Sequence, residues 1–448
     1  MLPILPMSNT TNNSIRKNEI RVRIAPSPTG IPHIGNSRTA LFNYLFARHN
    51  KGKFILRIED TDQKRIVKGA KEAIFEILDW LGLTPNEVYI QSERLREYKK
   101  HAEQLLEKGV AYKEKDAIRF EMPKAGETFW NDLIGNKHIS FKNNTQEDFV
   151  ILKSDGFPTY NFANVIDDHL MEISHIIRGE EFISSTPKHI HLYKAFGWSI
   201  PNFAHLPIVL GPDKTKLSKR HGAKSVLEYR DEGYLKEALL NYMALLGWRF
   251  AGAVNDGEGT PHVVPEREIM SLDFMINFFD LKDVNTASPI FDIKKLDWFN
   301  GVWIRKIAKE KPDDFKSRLI NFIGEGYSVE LVEQTTPLVY ERMKTLADYL
   351  PLCEFFFKIP KKYEVDIHSK ATLFKKMYDV LSQIDTWKAL AIGDKMQKTA
   401  QDLKVKNSEF FMLLRVAITG KKVSPPLNES MEILGKKTVL ARLQKAIL

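Results

Sequence analysis

The sequence is poor in cysteine and lacks long apolar runs, and these two features exclude whole classes of protein. Cys353 is the one cysteine among 448 residues, which excludes an intramolecular disulfide and a zinc site built from several thiolates. No segment reaches the roughly 18 uninterrupted apolar residues that a transmembrane helix requires. Residues 1–7 are apolar, but they are too short and proline-broken for a secretory signal. A cytoplasmic location is therefore expected.

The composition is that of a globular protein whose positive charge lies near its C-terminus. The 24 glycines and 21 prolines are too few for a collagen-like or low-complexity chain, and the length suggests two to four domains. Residues 358–448 carry 18 basic against 9 acidic side chains, so the preceding part is neutral overall although the net charge is +9. This basic part indicates binding to a polyanion such as nucleic acid, while a solvated helical surface has the same composition.

Alternating strand and helix patterns predict an α/β domain with a parallel sheet. Residues 20–24 show the two-residue alternation of a strand, and residues 37–49 follow with the period of a helix. Further predicted elements are a strand at 54–58, a helix at 66–81 ended by Gly82, a helix from Ser92 to Gly109, a strand at 173–177, a helix from Ser185 to Gly197 and a strand at 206–210.

The predicted domain order is an interrupted α/β domain followed by all-helical domains. Residues 1–18 are polar and aperiodic and are expected to form a disordered leader. The α/β domain comprises residues 19–109 and 158–233, with an inserted β-like subdomain at 110–157. The helical part divides into residues 234–320 and 321–448. Within it, core packing is expected for at least two of the aromatic residues 355–357.

A turn between the first strand and the first helix has the features of a phosphate site. Residues 26–36 are rich in proline and glycine, and Gly35 removes a side chain where a nucleotide must approach the backbone. The helix N-terminus offers free N–H groups and the positive end of a dipole. His33 and Asn36 can donate hydrogen bonds to phosphate oxygens from there. A stiffened turn with a satisfied histidine would account for the same residues.

A basic loop follows later in the same domain. Lys216 and Lys219 are three residues apart within residues 214–220, between turn residues. Such a loop can bring two ammonium groups over a triphosphate when it closes. A basic loop alone is commonly exposed to solvent. The two segments, each after a strand of one α/β domain, together favour a nucleotide triphosphate bound between them.

These motifs resemble those of class I aminoacyl-tRNA synthetases. Residues 32–36, Pro-His-Ile-Gly-Asn, and 216–220, Lys-Leu-Ser-Lys-Arg, are similar to the paired signatures His-Ile-Gly-His and Lys-Met-Ser-Lys-Ser. Longer motifs narrow the resemblance to the bacterial-type glutamyl-tRNA synthetases, and they lie at residues 23–35, 38–44, 57–62, 157–164, 177–181, 415–420 and 434–437. The chain departs from the family at Asn36, at Phe182 where tryptophan is common, and in its short cysteine-free insertion.

The resemblance implies a Rossmann-like catalytic domain and a two-step ligase. L-glutamate would react with ATP to give glutamyl-adenylate and pyrophosphate, and the glutamate would then pass to the terminal adenosine of a glutamate-accepting tRNA. Mg²⁺ is expected with the ATP, zinc is not expected, and the protein is expected to be a monomer. The resemblance also implies that residues 110–157 contact the acceptor end, 234–320 the tRNA stem and 321–448 the anticodon.

The resemblance assigns site residues to four groups, without metal ligands. The catalytic signature residues are His33, Gly35, Lys216, Ser218 and Lys219. The glutamate-binding residues are Arg23, Ala25, Ser27, Glu59, Tyr160, Asn164 and Arg178, with the two arginines on carboxylates and Glu59 on the ammonium group. The ATP-binding residues are Pro26, Thr29, Gly30, His33, Asn36, Glu181, Lys216, Leu217 and Lys219. Arg342 is assigned to tRNA.

Three alternatives remain open on the sequence. A glutaminyl-tRNA synthetase would typically have Pro-Glu-Pro-Asn-Gly where residues 26–30 read Pro-Ser-Pro-Thr-Gly. A paralogue that glutamylates a modified tRNA base would lack the helical C-terminal half. A catalytically inactive RNA-binding relative would have no need of His33, Lys216 and Lys219.

Overall fold

The computed structural model describes residues 19–218, 224–250, 268–367 and 370–447. The predicted leader at residues 1–18 and Lys219 lie outside the described residues. The chain divides into two compact units, of which the first contains Met1–Val226 and Leu240–Phe291 and the second contains Leu227–Leu239 and Asp292–Leu448. No described helix is long and apolar enough to cross a membrane.

The first unit is built on parallel strands. Its strands are β1 (Arg21–Ile24), β2 (Lys53–Ile58), β3 (Glu87–Ile90), β4 (Ala111–Glu114), β5 (Ala117–Phe120), β6 (Glu127–Asp132), β7 (Lys137–Lys142), β8 (Phe149–Leu152), β9 (His175–Gly179) and β10 (Asn202–Leu206). β1, β2 and β3 pair in parallel, as do β9 and β10. Ser174, just before β9, donates its backbone N–H to the carbonyl of Arg21 at 2.9 Å, so β9 lies beside β1. The sheet order therefore reverses between β1 and β9, as in a Rossmann-like fold.

Helices connect these strands and continue to the end of the chain. In chain order they are α1 (Ile34–His49), α2 (Ala70–Leu81), α3 (Leu95–Glu107), α4 (Tyr160–Leu170), α5 (Thr186–Phe196), α6 (Val226–Asp231), α7 (Lys236–Leu245), α8 (Leu272–Phe278), α9 (Ile293–Glu310), α10 (Pro312–Ile323), α11 (Val329–Thr335), α12 (Tyr349–Phe357), α13 (Ala371–Ser382), α14 (Ala389–Asp402), α15 (Asn407–Thr419), α16 (Leu427–Leu434) and α17 (Lys436–Ile447). This arrangement confirms the predicted fold class of an α/β domain followed by a helical region.

The segment between α3 and α4 is a small antiparallel β structure. β4, β5 and β8 form one sheet, and β6 and β7 form a separate hairpin. Its apolar side chains, among them Phe120, Phe149 and Ile151, join the core that Tyr98 of α3 and Phe162 of α4 also form. The β-like insertion predicted at residues 110–157 therefore folds as strands on the α/β domain.

The described part of the second unit contains helices and turns. Its C-terminal core gathers buried side chains such as Phe374, Leu414 and Leu443 from several helices. Phe355 and Phe356 are buried in α12, whereas Phe357 is half-buried. The expectation of core packing for two of these three aromatic residues is confirmed.

Three predicted helix starts are wrong. The helix expected from residue 37 begins at Ile34. The helix expected from residue 66 begins at Ala70, because Gly69 takes a left-handed φ of 82° immediately before it. The segment before Gly69 turns toward the cleft described below, where the N–H of Val67 bonds to the carbonyl of Pro28. Ser92 does not cap a helix, since its hydroxyl donates to Oδ2 of Asp60 at 2.7 Å.

Two predicted strands are shifted along the chain. β9 starts at His175 rather than residue 173, and β10 ends at Leu206 although the sequence predicted a strand at 206–210. Pro207 has no backbone N–H with which to extend the ladder. Farther on, the N–H of Leu210 bonds to the carbonyl of Pro289 at 2.8 Å, outside the sheet.

Candidate active site

A cleft of about 900 Å³ opens at the carboxyl ends of the parallel strands. The residues at or just after the ends of β1, β2, β9 and β10 that line it are Ile24, Glu59, Gly179 and Leu206. In doubly wound sheets, ligands bind at this edge beside the point where the strand order reverses. The topology therefore places the cleft where a ligand site is expected.

Most of the residues singled out in the sequence line this one cleft. They are Arg23, Ala25, Pro26, Ser27, Thr29, Gly30, His33, Gly35, Asn36, Glu59, Tyr160, Asn164, Arg178, Glu181, Lys216 and Leu217. Ser218 is half-buried and is not among the lining residues. Lys219 lies outside the described residues, and Arg342 belongs to the second unit.

His33 caps α1 and has its ring fixed by that role. Its Nδ1 accepts the backbone N–H of Gly35 at 3.0 Å, and Oδ1 of Asn36 accepts the backbone N–H of His33 at 3.3 Å. Burial lowers the pKa of His33, and the nearby charge of Lys216 lowers it further. In the neutral ring, Nδ1 is occupied as an acceptor, so the proton lies on Nε2, which remains as a donor for a ligand.

Gly35 has a structural role in addition to the predicted one, which stays a prediction. A Cβ at this position would lie 2.9 Å from Cε1 and 3.0 Å from Nδ1 of His33. The sequence suggested that the glycine admits a nucleotide to the backbone. In the structure, the absent side chain makes room for the imidazole of His33. The geometry of the predicted signature therefore depends on the two residues together.

The described part of the basic loop reaches the same cleft as His33. Nζ of Lys216 lies 3.6 Å from Oε1 of Glu181, and both side chains are substantially exposed. An ion pair between exposed groups is weak, so the ammonium group can move to another anion at little cost. His33 and Lys216 thus face one cavity, as a shared triphosphate site requires.

Arg23 and Arg57 meet on one buried carboxylate. Nε of Arg23 donates to Oδ1 of Asp168 at 2.9 Å, and Nη1 of Arg57 donates to the same oxygen at 2.6 Å. Burial would raise the pKa of Asp168, but the two guanidinium groups outweigh it and lower this pKa to about 2. Asp168 therefore stays ionised and balances both arginines. Arg57 itself is fully buried.

Arg57 also connects this pair to two predicted site residues. Its Nη2 donates to Oε1 of Glu59 at 3.2 Å and to Oδ1 of Asn164 at 2.7 Å. Burial raises the pKa of Glu59, and the charges of Arg57 and Arg23 offset part of that rise. The hydroxyl of Ser27 donates to the backbone carbonyl of Glu59 at 2.8 Å, so the turn after β1 is held against the backbone of Glu59.

Arg178 differs from the other two arginines in its surroundings. It is buried, yet no carboxylate of the described residues forms an ion pair with it. Burial lowers the pKa of its guanidinium. Beside it, Tyr160 stacks on Phe182 with ring centroids 5.4 Å apart, so the aromatic wall expected at residue 182 is present. Burial raises the pKa of Tyr160 to about 12, which leaves its hydroxyl neutral.

The residues that hold the arginines from behind do not belong to the sequence motifs. Asp168 holds Arg23 and Arg57, while His189 and His205 contact Arg178. A signal for Asp168 was present, because two consecutive acids stand within an apolar helical run and buried carboxylates are paired. Among the described residues, no group of three or more His, Cys, Asp or Glu side chains is placed to hold a metal ion.

The chemistry of the cleft is asymmetric. One part presents guanidinium groups beside the Glu59 carboxylate, which suits a small molecule that carries both carboxylate and ammonium groups. The other part presents a helix N-terminus, a histidine N–H donor and a lysine, which suit phosphate oxygens. An arrangement of this kind can hold an amino acid carboxylate beside a nucleotide.

Comparison with known proteins identifies the family. Residues 19–117 and 113–298 match the catalytic domain of class I tRNA synthetases (E and Q), and residues 310–447 match an anticodon binding domain. The chain is 41% identical to the glutamate–tRNA ligase of Dehalococcoides mccartyi, over 96% of this chain and 98% of the relative. It is 40% identical to glutamate–tRNA ligase 1 of Caldanaerobacter subterraneus, over the same shares of both chains.

A solved structure extends the similarity to the fold. The crystal structure of a glutamate tRNA ligase from Elizabethkingia meningosepticum, in complex with its amino acid, superposes with a TM-score of 0.84 at 33% identity. The match covers 96% of this chain and 99% of that protein. The family that the sequence motifs predicted is thereby confirmed. The chain belongs to the glutamate–tRNA ligase family of class I tRNA synthetases.

Proposed function

We propose that the cleft of the first unit activates L-glutamate with ATP and transfers it to tRNA. The observation that carries this function is the presence of Arg23, Glu59 and Arg178 in one cavity with His33 and Lys216. An adenylate-forming enzyme needs to recognise both an amino acid and a phosphate. The first three residues offer charged groups for the amino acid, and the last two offer a donor and a cation for the phosphate.

The glutamate would bind at the arginine end of the cleft. Arg23 and Arg178 would take its two carboxylates, and Glu59 would take its ammonium group. Bidentate guanidinium groups suit carboxylates, and a buried acid suits an ammonium ion. Supporting contacts would come from the remaining residues of this end, namely Ala25, Ser27, Tyr160 and Asn164, all of which line the cavity.

The ATP would bind at the N-terminus of α1. Nε2 of His33 would donate to a phosphate oxygen. The ammonium group of Lys216 would contact the triphosphate, together with that of Lys219 of the same signature. The residues proposed to surround the nucleotide are Pro26, Thr29, Gly30, Gly35, Asn36, Glu181, Leu217 and Ser218. Mg²⁺ would arrive with the ATP as part of the substrate and offset its charge.

The reaction needs positioning and electrostatic stabilisation rather than a covalent protein intermediate. An oxygen of the glutamate α-carboxylate attacks the α-phosphorus, and the bond to the leaving pyrophosphate breaks. The 2′ hydroxyl of the terminal ribose then attacks the activated carbonyl, and AMP leaves. Donors and cations held in place beforehand stabilise the charge that develops on the transferred group.

The tRNA would extend from the cleft along the rest of the protein. We propose that residues 110–157 contact the acceptor end, 234–320 the stem and 321–448 the anticodon. Arg342 is a candidate contact for the tRNA. In the structure its Nη1 donates to the carbonyl of Ser424 at 2.7 Å. The basic composition of the last ninety or so residues supports a phosphate-binding role there. The proposal includes a monomer that acts in the cytoplasm.

Glutaminyl-tRNA synthetase is the second candidate, because the matching catalytic family model covers both branches. The similar proteins reported above are glutamate–tRNA ligases. The test is ATP–pyrophosphate exchange with glutamate or glutamine, with and without tRNA, followed by charging of purified tRNA for each amino acid. Exchange that depends on glutamate supports the proposal, and exchange that glutamine alone stimulates would move the protein to the other branch.

A further inference from the structure

We propose that His189 and His205 are positioning residues that hold Arg178 in place without neutralising it, so that its full charge is left for the carboxylate of the substrate. The inference rests on the proposed function, since it assumes that Arg178 faces a glutamate carboxylate. Neither histidine lines the cleft. They would act on amino acid specificity through the guanidinium in front of them.

The first histidine is fixed across the sheet. His205 of β10 is the Cα partner of Arg178 on β9, and Nε of Arg178 donates to Nε2 of His205 at 3.2 Å. Because a guanidinium can only donate, Nε2 must accept and the ring proton must lie on Nδ1. Nδ1 meets Oδ2 of Asp132, at the end of β6, at 2.5 Å. Asp132 therefore selects the tautomer that can hold Arg178.

The second histidine repeats this logic from α5. Nη1 of Arg178 lies 3.3 Å from Nδ1 of His189, which must therefore accept. Its Nε2 carries the proton and lies 3.0 Å from Oδ1 of Asn161, an acceptor. Burial lowers the pKa of both histidines, in agreement with neutral rings.

The remaining hydrogen-bond partners of Arg178 are neutral as well, and the side chain of Tyr160 is one of them. Nη2 donates to Oγ1 of Thr186 at 2.9 Å and to the backbone carbonyl of Phe182 at 3.3 Å. Arg178 thus has oriented acceptors on Nε and on both terminal nitrogens, but no carboxylate of the described residues pairs with it. By contrast, Arg23 in the same cleft forms an ion pair with Asp168.

This difference has a consequence for recognition. A ligand carboxylate at Arg178 would meet a guanidinium that has no direct carboxylate partner among the described residues, although the charge of Asp168 acts on it from a distance, in surroundings where Coulomb interactions are strong. A neutral amide at the same place would gain much less electrostatic binding energy from Arg178. Arg178 would therefore separate glutamate from glutamine, and the neutrality of the two histidines is what preserves the distinction.

The test compares a neutral and an anionic replacement of His189. His189→Gln keeps an uncharged acceptor, whereas His189→Glu places a carboxylate against Arg178. The matched control is His191 on the same helix, also buried, whose Nε2 contacts Oγ1 of Thr128 at 2.7 Å. His191→Gln and His191→Glu make the same changes away from Arg178.

The readouts are KM for glutamate, KM for ATP and the inhibition constant of glutamine, measured with the full chain by tRNA charging and ATP–pyrophosphate exchange. His189→Glu is expected to raise the glutamate KM about tenfold or more and to narrow the preference over glutamine, with the ATP KM unchanged. The glutamate KM of His189→Gln is expected to stay within about threefold of the wild-type value, because one neutral acceptor of the guanidinium is replaced by another. An unchanged glutamate KM in folded His189→Glu, or an equal effect of His191→Glu, overturns the proposal.

A second variant decides the matter if His189→Glu does not fold. Oδ1 of Asp132 accepts the backbone N–H groups of His205 and Ile134, at 3.0 and 3.1 Å. In Asp132→Asn the amide oxygen must keep that place, so the amide nitrogen faces Nδ1 of His205 and donates to it. The ring proton then moves to Nε2, opposite the donor of Arg178.

Asp132→Asn is therefore expected to raise the glutamate KM at least about fivefold while the ATP KM stays unchanged. An unchanged glutamate KM in this variant contradicts the tautomer argument. The wild type serves as the separate check on the underlying function. If the wild type shows no glutamate-dependent exchange even with tRNA, the proposed function fails, whereas normal wild-type exchange with indifferent variants overturns this inference alone.

Discussion

Asp167 and Asp168 follow one another on α4, are both fully buried, and accept hydrogen bonds from different side chains, although Nε of Arg57 also lies 3.9 Å from Oδ2 of Asp167. Asp168 accepts from Arg23 and Arg57 on the side of the cleft. Asp167 accepts from the side chains of Gln91, Arg94 and Tyr98, at 2.9, 2.8 and 2.7 Å. Successive residues of a helix point about 100° apart, which is why two adjacent acids can accept hydrogen bonds from different sets of donors.

The pair therefore offers a matched test of site geometry. Asp168→Asn is expected to raise the KM for glutamate about tenfold or more, because Arg23 loses the carboxylate that orients it. Asp167→Asn is expected to lower the free energy of unfolding by a few kcal/mol, to the order of magnitude known for buried pairs, and to leave that KM within about threefold. Steady-state charging and chemical unfolding of both variants measure the two effects. Equal changes in KM would show that Asp168 has no special relation to the cleft.

Gly35→Ala tests the contact between the glycine and His33. The added Cβ would lie 2.9 Å from the imidazole, so the ring must move and its Nδ1 must leave the N–H of Gly35. Adenylate formation is expected to fall by about a hundredfold, a typical loss when one oriented donor is removed from a transition state. Pyrophosphate exchange measures the loss.

Gly30→Ala provides the comparison within the same turn. A Cβ at Gly30 meets no atom within 4 Å. Its effect on exchange is expected to be much smaller than that of Gly35→Ala. A larger loss at Gly30 would mean that the contact of the turn with the nucleotide, rather than the placement of His33, limits the reaction.

The raised pKa of Glu59 predicts how glutamate binding depends on pH. The ionised carboxylate is the form that binds an ammonium group, and burial raises its pKa above that of an ordinary glutamate. Binding is therefore present above this raised pKa and is lost as the pH falls through it, at a higher pH than an unperturbed carboxyl would give. The KM for glutamate should rise on this acid limb, as charging assays across the pH range would show.

Glu59→Gln gives the control for that pH dependence. The variant should have a high glutamate KM at every pH and should lack the part of the acid limb that belongs to Glu59. Persistence of the full limb in this variant would assign it to another titratable group in or behind the cleft, such as His33.

Binding of tRNA is expected to weaken steeply with salt. Each phosphate contact adds roughly −0.9 for duplex or −0.7 for single-stranded segments to the slope of log K against log salt, through release of counterions. Replacing exposed Lys375 and Lys376 of α13 by glutamate should make the slope shallower. The same change at exposed Lys99 and Lys100 of α3 controls for net charge. An affinity that does not depend on salt would contradict an electrostatic role for residues 358–448.

The sequence predicted the parts of the site that depend on short segments. His33, Gly35 and Asn36 form a local cap, and the strand–turn–helix pattern around them was sufficient to place it at the edge of a parallel sheet. The strand at β2 and the helix at α5 were predicted for the same reason, since their periodicity and their glycine or proline boundaries are local.

The network behind the cleft was not predictable, because its partners are distant in the chain. Arg23 and Asp168 are separated by 145 positions. His205 contacts Asp132, which lies on the inserted hairpin 73 positions away. When a guanidinium and a carboxylate lie on separate elements, the sequence around each does not specify which partner it will contact. The end of β10 at Leu206 was not predictable for a similar reason. The missing N–H of Pro207 matters only because β9 lies beside this strand.

Amino acid-dependent ATP–pyrophosphate exchange is the measurement that tests the central claim most directly. The purified chain would be assayed with ATP, Mg²⁺ and tRNA, with L-glutamate or L-glutamine as the only amino acid. We expect exchange with glutamate that exceeds exchange with glutamine by at least about a hundredfold, since a buried Arg178 without a carboxylate partner among the described residues favours a carboxylate over an amide. Equal exchange with both, or none with glutamate, would contradict the assignment of this cleft.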